Sequence, residues 1–117
     1  MANSASEVTR LMSFLKTGKA NAIHAADLAG LMGYSTAPNQ EELRELIRYA
    51  IDQGELIGSI PNRGYWIFAS SAEVEEVLDS LEGRAQGICE RRNNLLDSWN
   101  RNNPKHKSFY SFVDVKP

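Results

Sequence analysis

The stretch PNQEELRELIRYAIDQGELIGSIPNRGYWIFASS, residues 38–71, contains the pattern that decides the fold. Its first part places apolar residues at three- and four-residue spacing, as on one face of an amphipathic helix. These residues are Leu43, Leu46, Ile47, Ala50 and Ile51. A cap at Ser35 or Thr36, with Pro38 at the first helical position, should start this helix, and Gly54 should end it.

The rest of the same stretch predicts a β-hairpin. Residues 55–60 and 65–69 are β-prone runs, and residues 61–64 between them are rich in turn formers. Ser70 or Ser71 then supplies an N-cap for another helix. The chain therefore changes from helix to hairpin and back to helix within about 35 residues.

The second strand of this hairpin should pack one of its faces on the helices, because successive side chains of a strand point to opposite faces. That face carries either Tyr65 and Ile67 or Trp66 and Phe68. The alternation of side chains leaves both assignments open.

Two shorter helices are predicted before residue 35. The first begins at Ser6 and has an apolar face made of Val8, Leu11, Met12 and Leu15. The second runs from His24 to Met32, and Gly33 ends it. Between the two helices, Ala22-Ile23 predicts a single strand-like bridge.

A long helix is predicted over residues 72–102. Its apolar seam is longer than a domain of about 70 residues covers, so we expect a homodimer through this helix. The interface would be formed by Leu78, Leu81, Ala85, Ile88, Leu95 and Trp99. Alternatively, the helix bends near Gly83 or Gly87 and packs on its own domain. The tail over residues 103–117, which includes Val115, is expected to be either docked or disordered.

Composition excludes several classes of protein. The 117 residues carry a formal net charge of −2, and the single cysteine excludes an internal disulfide and a multi-thiolate metal site. The longest apolar run, residues 65–69, is far too short to cross a bilayer, and no signal peptide is visible. We therefore expect a cytoplasmic protein that contacts no membrane. No catalytic constellation or phosphate-binding loop occurs, so we expect no enzymatic activity, cofactor or metal.

The near-neutral total conceals segregated charge. Residues 72–82 carry a net charge of −5, whereas residues 83–107 carry +4 and residues 1–71 carry −1. Two copies of the long helix packed antiparallel would place the acidic segment of one beside the basic segment of the other. Charge asymmetry of this kind indicates an interaction surface.

The order of three helices, a hairpin and a further helix resembles that of small winged helix-turn-helix proteins of phages and prophages. The residues that carry this resemblance span about 10–92 and are Ala22 to Ala29, Leu43-Arg44, Gly54, Ile57-Gly58, Gly64-Tyr65-Trp66, and the Glu-rich to Arg-containing helix from Glu73 to Arg92. It implies a mainly α (α+β) fold, with a winged helix-turn-helix domain over residues 6–71. It also implies binding of double-stranded DNA, with the third helix in the major groove and the hairpin, or wing, against the backbone or minor groove.

Several side chains have the chemistry that this role requires. Polar and arginine side chains read base edges and phosphates. The candidates for DNA contact are Ser35, Thr36, Asn39, Gln40, Arg44, Arg48, Asn62 and Arg63. Lys16 and Lys19 are further candidates for phosphate contact. We therefore expect a sequence-directed DNA-binding protein, a phage or prophage transcriptional regulator.

The third helix is also acidic, which opposes contact with a polyanion. Its outward face holds carboxylates at Glu41, Glu42, Glu45 and Asp52. In one alternative, Arg44 and Arg48 only pair with Glu41, Glu45 or Asp52 along a solvated face. The corresponding alternative function is a winged-helix module for protein–protein interaction, or a phage replication accessory protein, that uses the acidic helix or the long C-terminal helix.

Overall fold

The computed structural model describes residues 4–114, which form four α-helices and one hairpin. The elements are α1 Ala5–Phe14, α2 Ala25–Met32, α3 Glu41–Asp52, β1 Ile57–Ile60, β2 Gly64–Ile67 and α4 Ser71–Asn102. A short 3₁₀ turn, Lys19–Asn21, lies between α1 and α2. The described chain is thus mainly helical with one two-stranded antiparallel sheet and a long C-terminal helix, which confirms the expected α+β class.

The chain divides into two compact units, one up to Val77 and one from Leu78 onward. In the first unit, α1, α2 and α3 enclose the core together with the hairpin. The largest fully buried side chains there are Trp66, Leu11, Leu28, Leu43 and Leu46. Within residues 4–114, no helix combines the length and apolar character needed to cross a membrane.

The start of α1 differs from the sequence expectation. The N-cap is Ser4 and not Ser6, because the Ser4 hydroxyl accepts a hydrogen bond from the backbone N–H of Glu7 at 3.2 Å. The side chain of Ser6 instead meets that of Ser4. Either serine suits a cap, so local preference did not separate them.

The start of α3 was also predicted wrongly. Ser35 caps no helix, because its hydroxyl bonds to the backbone of Ala37 and closes a local turn. Pro38 follows a cis peptide bond, and Asn39 and Gln40 have positive φ angles of 55° and 52°. A right-handed helix cannot include such residues, so α3 begins three residues later than Pro38, at Glu41. The predicted stop is confirmed, since Gly54 follows the C-cap with a φ of 101°.

The hairpin occurs where it was predicted, but both strands are shorter, and the turn is residues 61–63 and not 61–64 because Gly64 belongs to β2. Ile57 pairs with Ile67 and Ile60 pairs with Gly64 in an antiparallel register. The expected bridge before α2 is confirmed, because Ile23 pairs with Tyr65 as an isolated antiparallel bridge. This bridge fixes the start of α2 beside the hairpin.

Both faces of β2 are covered. Tyr65 and Ile67 pack on the core of the three helices. Trp66, on the other face, is fully buried, and its ring meets that of Phe68 edge-on at 6.0 Å between centroids. A Cβ on Gly58, which pairs with Trp66, would lie 2.8 Å from the indole, so the ring lies directly over this glycine.

The hairpin approaches the chain before α2 so closely that Gly64 admits no side chain. A Cβ at Gly64 would overlap the carbonyl oxygen of Ile23, and its φ is 105°. Gly54 has a similar φ of 101°, but a Cβ there would meet nothing within 4 Å. Alanine substitutions at Gly54 and Gly64 therefore separate the cost of a positive φ, which both positions have, from the cost of steric overlap, which only Gly64 has.

We expect Gly64→Ala to destabilise the fold more than Gly54→Ala. The change at Gly54 adds only the strain of a positive φ, about 1–2 kcal/mol. The change at Gly64 adds an overlap with backbone that costs a further 1–3 kcal/mol or so. Urea unfolding of both variants measures the difference, and equal losses would show that the close approach to Ile23 is not tight.

The first turn of α4 is tied to the rest of the first unit by one carboxylate. The backbone N–H of Glu73 donates to the Ser70 hydroxyl at 3.3 Å, which confirms the predicted cap. The Glu73 carboxylate accepts from the backbone N–H of Ala69 at 2.9 Å, from Trp66 Nε1 at 3.0 Å and from the backbone N–H of Lys19 at 2.9 Å. These bonds, led by that from Lys19, lower the pKa of Glu73 from its ordinary value near 4.5.

We expect Glu73→Gln to lower the midpoint of thermal unfolding at pH 7, because an amide NH₂ cannot accept these bonds. Since the folded-state pKa of Glu73 is lowered, its contribution is fully present above pH 4.5 and is lost as the pH falls through the folded-state pKa. The difference between Glu73→Gln and wild type should therefore shrink at acid pH. Glu75→Gln, on the exposed surface of the same turn, is the control and should behave as wild type.

In the second unit, the chain after α4 turns back along the helix. Residues 107–114 have no regular secondary structure, and α4 side chains bond to backbone atoms at four tail positions, His106, Ser108, Ser111 and Val113. Val115, with the rest of the predicted tail to residue 117, lies outside the described residues.

Candidate nucleic-acid interface

Arg44 lies where α3 meets the hairpin. It lines a groove of about 170 Å³ together with His24 and Ala25 at the start of α2 and with the hairpin residues Ser59, Ile60, Pro61, Asn62, Gly64 and Tyr65. It also lines a shallow depression along the exposed face of α3, which is formed with Asn39, Glu41, Glu45 and Arg48. The two concave surfaces therefore share the Arg44 side chain.

Two of the three candidate arginines are free within residues 4–114. The exposed side chains of Arg48 and Arg63 make no hydrogen bond or ion pair there. The Nε of Arg44 donates to the backbone carbonyl of Asn39 at 2.6 Å, which leaves its terminal nitrogens available. The guanidinium groups thus remain available for an external anion.

The alternative that Arg44 and Arg48 only pair along a solvated helix face is not observed. Among the described residues, neither arginine lies within 4.0 Å of a carboxylate oxygen of Glu41, Glu45 or Asp52. Arg44 does not pair with these carboxylates because its Nε donates to the carbonyl of Asn39, which directs the guanidinium toward the turn before α3. The carboxylates are nevertheless close, since Glu41 and Glu45 line the same depression.

The residues predicted to contact DNA from the turn before α3 are of two kinds. Ser35 and Gln40 build the turn, because the Ser35 hydroxyl bonds to Ala37 and the Gln40 amide donates to the carbonyl of Thr36 at 2.8 Å. The exposed side chains of Thr36 and Asn39 make no hydrogen bond to other described residues. Thr36 and Asn39 are therefore better placed to contact a ligand than Ser35 and Gln40.

The N-terminus of α3 carries no side-chain cap. Its first backbone N–H groups are left without an intrahelical partner, as at any helix start, and such groups favour anions. Glu41 and Glu42 occupy the same turn and oppose this preference.

The hairpin tip presents Asn62 and Arg63 outward. The backbone N–H of Arg63 donates to the carbonyl of Ile60 at 3.0 Å, and Asn62 takes a φ of 69°. The backbone of the turn is therefore fixed while both side chains are exposed. An arginine in this position suits phosphate or a narrow minor groove.

Lys19 is not free to contact a phosphate group. Its ammonium forms an ion pair with Glu76, with Nζ 2.7 Å from Oε1, and its backbone N–H is bonded to Glu73. Lys16 remains exposed. The basic candidates that remain are thus Lys16 and the three arginines Arg44, Arg48 and Arg63.

Sequence reasoning missed two groove residues, His24 and Ser59. His24 is the N-terminal flanking residue of α2, and the pairing of Ile23 with Tyr65 brings it to the hairpin. The strand-like character of Ala22-Ile23 was visible in the sequence, but its partner strand was not. Knowledge that Ile23 pairs with Tyr65 would have placed the next residue, His24, in the groove.

A buried tyrosine anchors the turn before α3. The hydroxyl of Tyr34 donates to the carboxylate of Glu7 on α1, and the Arg10 guanidinium lies 6.0 Å from the centre of the Tyr34 ring. Arg10 also donates to the carbonyl of Met32 at the end of α2. Burial, followed by the bond to Glu7, raises the pKa of Tyr34 to about 12.

We expect Tyr34→Phe to destabilise the protein by about 1 kcal/mol, because it removes a hydrogen bond to a carboxylate. The change should also remove the tyrosine that ionises near pH 12 in an absorbance titration. Tyr110→Phe is the control, since that ring is 77% exposed. Unchanged stability of Tyr34→Phe would contradict an anchoring role.

No group of three or more histidine, cysteine or acidic side chains in the described part of the chain is arranged to hold a metal ion. No protein-family model, curated protein or solved structure matched this chain.

Proposed function

We propose that this protein is a winged helix-turn-helix protein that binds double-stranded DNA in a sequence-directed manner. In this proposal α3 approaches the major groove and the hairpin is the wing. The observation that carries it is a set of three exposed arginines on α3 and the hairpin tip: Arg48 and Arg63 are unpaired among the described residues, and Arg44 lines both the groove and the depression along α3. Phosphates and guanine edges are the ligands that exposed arginines prefer in DNA.

The acidic residues limit how α3 would approach DNA. Glu41 and Glu45 lie beside Arg44 and Arg48, so the four charges along this depression sum to zero. Contact would concentrate at the uncapped start of α3, at Arg44 and at the hairpin tip. The affinity would then depend on a few arginine–phosphate contacts and should be strongly weakened by salt.

The biological role within this proposal is that of a cytoplasmic, non-catalytic transcriptional regulator of the phage or prophage type. This part rests on the resemblance carried by residues 22–29 and by the sequence around the hairpin. A test of DNA binding does not by itself test this biological role.

We expect an Arg48→Ala/Arg63→Ala variant to lose DNA affinity. Removing two phosphate contacts should reduce the slope of log affinity against log salt by about 2. Fluorescence anisotropy on labelled genomic fragments, at about 50 mM salt and above, measures both quantities. Both side chains are exposed, so the fold should be unaffected.

The control is Lys105→Ala/Lys107→Ala, which removes the same charge from exposed tail positions. It should leave the salt slope unchanged. Absence of wild-type binding at about 50 mM salt, or an unaltered slope in the arginine variant, would overturn the proposal.

A second candidate function is protein–protein interaction through the acidic face of α3, or a replication accessory role of that kind. The observation that favours it is that Glu41, Glu45 and Asp52 form no ion pair within residues 4–114. Such a surface suits a basic protein partner. A chain that fails to bind DNA at low salt would favour this function.

A further inference from the structure

The described part of the second unit, residues 78–114, has no hydrophobic core. Between Leu78 and Asp114, no described side chain is buried, whereas the first unit holds a continuous cluster of buried residues. The large apolar side chains that are exposed in this stretch are Leu78, Leu81, Ile88, Leu95, Trp99, Phe109, Tyr110, Phe112 and Val113. A unit of this size cannot be stabilised without burying apolar surface, so another surface is needed to cover it.

The apolar residues of α4 repeat at alternating spacings of three and four. From Leu78 the positions are Leu81, Ala85, Ile88, Arg92, Leu95 and Trp99. This is the heptad spacing by which two helices pack side by side, and only Arg92 interrupts it. A face of this kind is complementary to a second copy of itself.

The tail is held to α4 through its main chain. The Asn93 amide donates to the carbonyl of Val113 at 2.6 Å and accepts from the N–H of Val113 at 3.0 Å. The Asn100 amide does the same with Ser108, at 3.3 Å and 2.8 Å. Each asparagine thus pairs with one tail residue as a neighbouring β-strand would.

The same side chains show where the tail runs. Asn93 and Asn100 are seven residues apart and therefore lie on one side of the helix. Trp99 donates from Nε1 to the carbonyl of His106 at 2.9 Å, and Arg92 donates to the carbonyl of Ser111 at 2.9 Å. Arg92 and Trp99 belong to the heptad seam, so the tail runs antiparallel to α4 along the edge of this seam.

Because α4 bonds to the backbone of the tail, the aromatic side chains of the tail are left outside. Phe109 is 95% exposed, Tyr110 77% and Phe112 64%. The seam and the tail aromatics together expose apolar surface on the order of 1,000 Å², and a standard interface buries about 800 Å² per partner.

We propose that the tail over residues 106–113 forms part of a homodimer interface, in which a second copy covers the α4 seam and the exposed aromatic side chains. The charge order along α4 selects a second copy as the partner. Acidic residues, among them Asp79 and Glu82, precede the basic residues Arg84, Arg91 and Arg101, so antiparallel helices place opposite charges together.

Sedimentation equilibrium of the full chain tests the dimer directly. At tens of micromolar we expect twice the chain mass of 13.1 kDa. Ile88→Glu/Leu95→Glu should weaken the dimer at least about 100-fold, since it buries two unpaired charges. Both side chains are exposed in the single chain, so the first unit should keep its thermal unfolding.

The control for these charges is Asn94→Glu, on the same helix but away from the seam, which should leave the dissociation constant unchanged. A monomer mass for wild type at tens of micromolar would overturn the proposal. Equal affinities of the wild type and the Ile88→Glu/Leu95→Glu variant would also overturn it.

The contribution of the tail is tested separately. Phe109→Ser/Phe112→Ser, and Asn93→Ala/Asn100→Ala, should each weaken the dimer by about 10-fold. Asn94→Ala is the control for the asparagine changes. A dimer that is insensitive to both tail variants would contradict a role of the tail in the interface.

This inference stands apart from DNA binding, and the two fail separately. The mass is measured without DNA, and Arg48→Ala/Arg63→Ala should leave it unchanged. A dimer that binds no DNA would refute only the proposed function, whereas a monomer that binds DNA would refute only the interface.

Discussion

The carboxylate of Glu73 is the constraint on which the arrangement of the first unit depends. It receives N–H groups from Lys19 before α2, from the Trp66 indole on β2 and from Ala69 before α4. The segment before α2, which is distant in sequence, is thereby joined to the end of the hairpin and the start of α4 at one charged group. Because Trp66 is fully buried, its indole N–H requires a partner, and Glu73 supplies it.

A second constraint brings the candidate interface together. The bridge between Ile23 and Tyr65, with the close approach of Gly64 to the Ile23 carbonyl, sets the start of α2 against the hairpin. His24, Arg44 and Asn62 then line one groove, although they come from three separate elements. The DNA-binding surface that we propose is a consequence of this backbone pairing.

The elements with strong local signals were predicted well. The apolar period of α3, Gly54 after it and the turn formers 61–64 act over a few residues, so they could be recognised in the sequence. The start of α3 could not, because Pro38 and Ser35 suit a helix start and a tight turn equally. Of the candidate site residues, the arginines were found because their chemistry is independent of context, whereas His24 and Ser59 required knowledge of which strand meets Ile23.

The sequence by itself determined the number and order of the α-helices, the hairpin and the segregation of charge along α4. These follow from side-chain periodicity and composition, which act locally. Only the tertiary structure decided that Arg48 is unpaired among the described residues, that Lys19 is bound to Glu76 and that the tail is held by its backbone while Phe109 is exposed. Such outcomes depend on contacts between residues far apart in sequence, whose partners local patterns do not specify.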